Sequence, residues 1–475
     1  MREVTGWVRR QPELVLLSVA FLIGRGLVAV QSNPRIYFDS RTYRPPSGHD
    51  FTALISLTGH SARSWVVPAF YWLFPTDHQR ILAQAFLSTM CWLALAAAVV
   101  SVLSSRVGRV AGAAVVLVMG SLPQVVNWDA DILTESLETS FAALALAAVL
   151  MSARRRTWPR VAIVVVVLVL WCFVRPDNIV LVLGGGLLLA ACALRRERGQ
   201  AAVIATCALV GCLWSSWAVG NADDEYQAIA GTHVGYSEEL FFYELALRVY
   251  LTPGAADYLA RQGMPPCHPM DRLLQPDQAR PNPAETSVLF VAYQGACPET
   301  RQWARTHARW TLGRFALSHP DVYLGWLRTD LSQLLSSPAY GDSRRLVPAP
   351  LERLLFGGPA VAVQTLLLEL MAGFLLLIAG GRRVWRAPLG PVAVVTIGLA
   401  AASLAVGYVF SANEVARSGV PEDVLLRLAA GLCAVAGVDA LLSGSGRSWR
   451  RSARAGRTPS GEWATQTQHQ HSRAD

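Results

Sequence analysis

The run FDSRTY, Phe38–Tyr43, sets Asp39, Arg41 and Tyr43 close together just after the first long apolar stretch of the chain. A carboxylate there is either an ordinary acid at a helix exit or a general base facing what arrives at a membrane surface. A second run, NWDADILTESLE at Asn127–Glu138, gathers Asp129, Asp131, Glu135 and Glu138 with no basic residue among them. Helix capping explains part of this, since Asp131 or Thr134 suits an N-cap and acids favour a helix N-terminus. Capping does not need so many acids, and carboxylates near membrane depth tend to be functional. Gathered carboxylates also suit a divalent cation, with Asp39, Asp129 and Asp131 as its expected ligands. Two further runs carry isolated arginines: VRPDN, Val174–Asn178, holds Arg175 and Asp177, and SANEVARSGVPED, Ser411–Asp423, holds Glu414 and Arg417. Guanidinium binds phosphate well; the bland alternatives are snorkelling and pairing with a carboxylate. Acids on two loops and arginines on two others are what transfer between an anionic lipid phosphate and a hydroxyl acceptor needs. A base serves the acceptor and a cation steadies the leaving phosphate. A P-loop, a G-x-G-x-x-G after a strand and an H-E-x-x-H are all absent from the sequence.

The elements that position these runs follow from composition. The chain has 475 residues, 53% hydrophobic and only 16% charged, against about 25% charged in soluble domains. Apolar runs near the length needed to cross a bilayer recur along it. They predict helices over 13–31, 81–103, 110–126, 137–151, 158–174, 178–194, 201–219, 359–379, 388–410 and 424–442. The fold class expected is an all-α polytopic membrane protein of about ten transmembrane helices with a small external α-rich subdomain. Residues 1–219 make a first membrane domain of seven helices with an outer loop at 32–80. The subdomain spans 220–358, three more helices span 359–442, and a Ser-, Arg- and Gln-rich tail at 443–475 reads as disordered.

Orientation comes from arginine, because the sequence contains no lysine. Arg2, Arg9 and Arg10; Arg106 and Arg109; Arg154, Arg155, Arg156 and Arg160; Arg195, Arg196 and Arg198; Arg382, Arg383 and Arg386; and the tail from Arg447 to Arg457 all fall on one side of a ten-helix alternation. The positive-inside rule makes that side cytoplasmic, with both termini there and the polar runs on the outer face of the cytoplasmic membrane. This placement of the net charge of +9 excludes nucleic acid as its reason. Six of the eight cysteines lie in apolar runs; Cys267 and Cys297 lie in the long outer segment and are predicted to form a disulfide.

With these motifs the chain resembles the GT-C superfamily of polyprenyl-phosphate-sugar-dependent glycosyltransferases, which holds protein O-mannosyltransferases and aminoarabinose transferases. The resemblance covers roughly residues 10–440 and is carried by FDSRTY, DILTESLE, the RPDN turn, NEVARSGVPE and HPDVYLGWLRTDL at His319–Leu331. It implies that Asp39 is the catalytic base of an inverting transferase. Arg41, Tyr43, Asp129, Asp131, Glu135, Arg175, Asp177, Glu414 and Arg417 are then its substrate-binding residues. Its partners would be a lipid-linked sugar donor, a glycan, lipid or protein acceptor, and membrane lipids. The chain departs from the family in two places: Ser418 follows Arg417 where the family carries a tyrosine, and Ser40 follows Asp39 where a second acid is frequent. Two other classes stay open: a transporter or flippase of a lipid-linked substrate, and a non-catalytic envelope assembly protein.

Overall fold

The computed structural model describes residues 11–37, 39–44, 64–155, 157–175, 178–194, 197–220, 235–274, 280–336, 345–358, 360–409, 417 and 419–455. Among them the chain is helical, without a named strand. Its first part holds α1 (Pro12–Gln31), α2 (Asp77–Val102), α3 (Arg106–Met119), α4 (Glu135–Arg154), α5 (Trp158–Cys172), α6 (Ile179–Leu194) and α7 (Arg198–Gly220). An inserted unit follows with α8 (Tyr236–Glu244), α9 (Ala255–Arg261), α10 (His268–Leu273), α11 (Pro283–Ala296), α12 (Pro298–Ser318) and α13 (Pro320–Leu334). The chain then runs through α14 (Ala349–Phe356), α15 (Ala362–Ala379), α16 (Leu389–Tyr408) and α17 (Val420–Ala455).

Seven of these, α1, α2, α4, α7, α15, α16 and α17, are long and apolar enough to cross a bilayer. Their outward faces suit lipid: α1 leaves Leu16, Leu22, Ile23, Leu27 and Val30 exposed. A helix stands at each place where the sequence predicts a crossing, but the third is broken. α3 ends at Met119 and the chain resumes at Pro123 after a bend of 54°, which makes an eighth crossing if the pair counts as one. The cause is local. Pro123 lacks an N–H and forces the residue before it out of the helical region, and Leu122 is extended at ψ 147°. α5 and α6 are apolar but shorter. At the other end the helix continues to Ala455, well into the stretch expected to be disordered, because its Arg, Ser and Ala residues tolerate helix. Residues 456–475 lie outside the described residues.

Small residues bring the last helices close. A Cβ on Gly373 of α15 would stand 2.6 Å from the Ala430 carbonyl, and one on Gly437 of α17 would stand 2.2 Å from that of Leu376. Such glycines let apolar helices pack backbone to backbone in lipid, where no hydrophobic drive joins them. The inserted unit has a core of its own around Phe242, Leu245, Met270, Tyr293 and Phe315. Within it Cys267 and Cys297 are joined by a disulfide with Cα atoms 5.3 Å apart. Trp326 of α13 packs against both this core and the membrane one.

Candidate functional site

The first and second polar runs are fastened together by their backbones. Arg35 N–H donates to the Ala130 carbonyl at 2.8 Å, and Ile132 N–H donates to the Arg35 carbonyl at 3.2 Å, an isolated parallel bridge between Arg35 and Asp131. The side chains follow: Arg35 Nε donates to Asp131 Oδ1 at 2.5 Å, and Arg35 Nη2 donates to the Asn127 carbonyl. Beneath them Gln84 of α2 donates to the carbonyls of Asp129 and Asp131, both at 3.0 Å. Its side-chain oxygen meets the Tyr71 hydroxyl, which also reaches the Leu133 carbonyl at 2.8 Å. Burial pushes the Asp131 carboxyl up to about 6, against the pull of Arg35. Burial likewise raises the Tyr71 phenol.

One guanidinium joins three runs. Arg417 donates from Nε to Glu135 Oε1 at 2.5 Å and from Nη1 to Asp39 Oδ2 at 3.2 Å. Glu135 opens α4 and is buried, whereas the Asp39 side chain keeps 24% exposure. One turn further along α4, the buried Glu138 pairs with Arg175 at 3.2 Å. The acids at the entry of α4 are thus matched by the isolated arginines of the third and last loops. Asp129 is matched from within the membrane helices. Arg25 of α1, 2% exposed, pairs with Asp129 Oδ2 at 2.7 Å. It also donates to Ser88, Thr89 and the Gly120 carbonyl.

The sequence-derived residues therefore separate into two groups. Asp39, Arg417 and Glu135 come together, with Glu138 and Arg175 on the same end of α4. Tyr43 is 5% exposed and packs into the larger hydrophobic core, and Arg41 is exposed. Asp129 and Asp131 are held by arginines of their own rather than facing Asp39. The expected ion ligands Asp39, Asp129 and Asp131 thus sit on three different guanidiniums and do not fit a shared cation. No group of three or more His, Cys, Asp or Glu placed to hold a metal occurs among the described residues. Asp177 and Glu414 lie outside the described residues.

Sequence reasoning missed several buried charges. Arg427 of α17 is held by Asp423 at 2.9 Å, Glu369 at 3.2 Å and the Leu335 carbonyl at 3.0 Å, with its guanidinium 4.6 Å from the Phe356 ring centroid. The i,i+4 pair Asp423–Arg427 inside an apolar run was the available signal. In the inserted unit, Arg248 binds Glu244 at 3.0 Å and the Tyr408 carbonyl at 2.7 Å. The Tyr408 hydroxyl donates to Asp330 at 2.6 Å, and Arg280 pairs with that carboxylate at 2.8 Å. This network ties the unit to the end of α16. Comparison with protein-family models, with curated proteins and with solved structures finds no match to this chain.

Proposed function

We propose that this chain is a membrane glycosyltransferase of the GT-C kind, with ten crossings and both termini in the cytoplasm. It moves a sugar from a polyprenyl-phosphate donor to a hydroxyl acceptor on the outer face of the cytoplasmic membrane. The observation that carries the reading is the meeting of Asp39, partly open to solvent, with Arg417 at 3.2 Å beside the entry of α4. A base and a phosphate-binding cation stand within one contact of each other. Asp39 takes the proton of the acceptor hydroxyl while that oxygen bonds to the anomeric carbon. The bond from that carbon to the phosphate oxygen breaks, and the polyprenyl phosphate leaves with its charge near Arg417. In the resting chain the Arg417 guanidinium pairs with Asp39, and an arriving phosphate competes for it.

The test is transfer in proteoliposomes supplied with a polyprenyl-phosphate sugar and a candidate acceptor. Asp39→Asn is nearly isosteric but lacks a basic oxygen. It is expected to lower transfer by roughly 10²-fold or more while leaving insertion unchanged, the scale of a lost general base. Full transfer by Asp39→Asn would sink the assignment. One observation favours a second reading, movement of a lipid-linked substrate across the membrane. The clusters Arg25–Asp129 and Arg427–Asp423–Glu369 put ionisable groups among the membrane helices. The same proteoliposomes separate the two, since a flippase relocates the donor without consuming it.

A further inference from the structure

The stretch that carries Arg417 joins α16, which ends at Tyr408, to α17, which starts at Val420. One element, α13, meets the chain on both sides of it. On the entering side the buried Tyr408 hydroxyl donates to Asp330 of α13 at 2.6 Å. One turn earlier the Ala405 carbonyl accepts from the Tyr323 hydroxyl, also of α13. Arg248 takes the Tyr408 carbonyl at 2.7 Å, with its guanidinium 3.9 Å from the Tyr408 ring centroid. On the leaving side Gly419 abuts the last residue of α13: a Cβ added to it would stand 2.8 Å from the Leu334 carbonyl oxygen. That oxygen is backbone and cannot swing aside, so the approach requires glycine. The Gly419 carbonyl in turn accepts from the Asp423 N–H at 2.9 Å, as α17 begins. Arg427, one turn past Asp423, donates to the Leu335 carbonyl at 3.0 Å. Gly419 is thus fixed between α13 and α17.

The two anchors do not constrain Arg417 equally. It follows Tyr408 by nine positions but precedes Gly419 by only two. At full extension its Cα could lie about 32 Å from the first anchor, but no more than about 7 Å from the second. From there its guanidinium meets Glu135 at 2.5 Å and Asp39 at 3.2 Å, carboxylates of two other runs. We infer that α13 positions Arg417, with Gly419 on the Leu334 carbonyl as the near anchor and Tyr408 on Asp330 as the far one. Gly419 and Tyr408 are positioning residues that act through Arg417. That this placement matters to transfer rests on the transferase reading above; where the guanidinium sits does not.

The test reads energetic coupling in the full chain in detergent, and transfer separately. Gly419→Ala forces the chain off the Leu334 carbonyl. Tyr408→Phe keeps the ring beside Arg248 but takes the hydroxyl from Asp330, and it serves should the first variant not fold. Gly398→Ala on α16, where an added Cβ meets nothing within 4 Å, is the control. Arg417→Gln is then introduced into each background. In wild type and in Gly398→Ala it is expected to lower the melting temperature by equal amounts. In Gly419→Ala, where the guanidinium no longer reaches both acids, the drop is expected to be no more than about half as large, with Tyr408→Phe between the two. A drop as large in Gly419→Ala and Tyr408→Phe as in wild type overturns the inference. In proteoliposomes Gly419→Ala is expected to transfer sugar roughly 10- to 100-fold more slowly with the acceptor KM unchanged, the scale of a 1 Å misplacement. Gly398→Ala is expected to transfer as wild type does. Coupling in a wild type that transfers nothing removes the transferase reading and leaves α13 as the anchor of Arg417. Transfer by Gly419→Ala at the wild-type rate overturns the catalytic role of that anchor.

Discussion

Removing the Arg25 guanidinium isolates the contribution of a buried interhelical ion pair. In Arg25→Met the methionine fills the stem volume, and the structure then loses the donors to Ser88, Thr89 and the Gly120 carbonyl as well as the partner of Asp129. Interhelical polar contacts in membranes contribute about 0.6 kcal/mol each, so three of them sum to about 2 kcal/mol. Stranding a buried charge costs about 3–5 kcal/mol in soluble proteins. Here Ser136 still donates to Asp129 at 2.7 Å, which favours the lower end. A loss of about 5 kcal/mol is therefore expected, measured as the shift in a reversible detergent-to-SDS unfolding curve. In an Asp129→Asn background no charge is stranded, and the same substitution is expected to cost only about 2 kcal/mol. The coupling of about 3 kcal/mol is the quantity that reports the ion pair. If Arg25→Met costs the same in both backgrounds to within about 0.5 kcal/mol, the pair does not hold these helices and the argument fails.

The Asp131 carboxyl sits at about 6 in the folded chain, above its unfolded value of about 4. A raised folded value contributes stability that is present below the unfolded one and lost as pH rises through the folded one. Wild type is thus expected to lose stability relative to Asp131→Asn between pH of about 4 and 6; parallel curves for the two proteins would refute it. Reduction of Cys267–Cys297, which are 30 residues apart, is expected to destabilise the inserted unit by about 3–4 kcal/mol on loop-entropy grounds. Alkylation that labels both sulfurs without reductant would show that the bond is not formed. Reporters fused after Arg198 and Arg457 are expected to read as cytoplasmic and one near Gln275 as external; an external signal at Arg457 would overturn the orientation.

The helices were legible because the bilayer imposes its demands locally, on each stretch of chain in turn. The break at Gly120–Pro123 was written in the sequence too, but a continuous apolar run hid it. The polar cluster was legible only in parts. Asp39, Glu135 and Arg417 could each be picked out, yet their meeting joins positions 378 residues apart, and no local pattern encodes such a distance. Arg25 is a lone charge inside the first apolar run, 13–31, and nothing near it in the sequence marks its partner. What makes it tolerable is Asp129, and that depends on α1 crossing α2 at the height of Ser88 and Thr89. Arg35 carried no signal at all, since one arginine in a polar loop resembles any other.

The different ways in which Arg25 and Arg427 are matched bear on how the chain is made. Arg427 enters the bilayer with Asp423 one turn away on the same helix, so α17 brings its own counter-charge and can leave the translocon as a nearly neutral rod. Arg25 has no such companion. Its counter-charge arrives only when Asp129 has been synthesised, after α2 and α3 have already emerged. Until then α1 carries a bare cation of a kind that costs roughly 3 kcal/mol at the bilayer centre. α1 therefore has reason to linger beside the translocon until Asp129 has emerged.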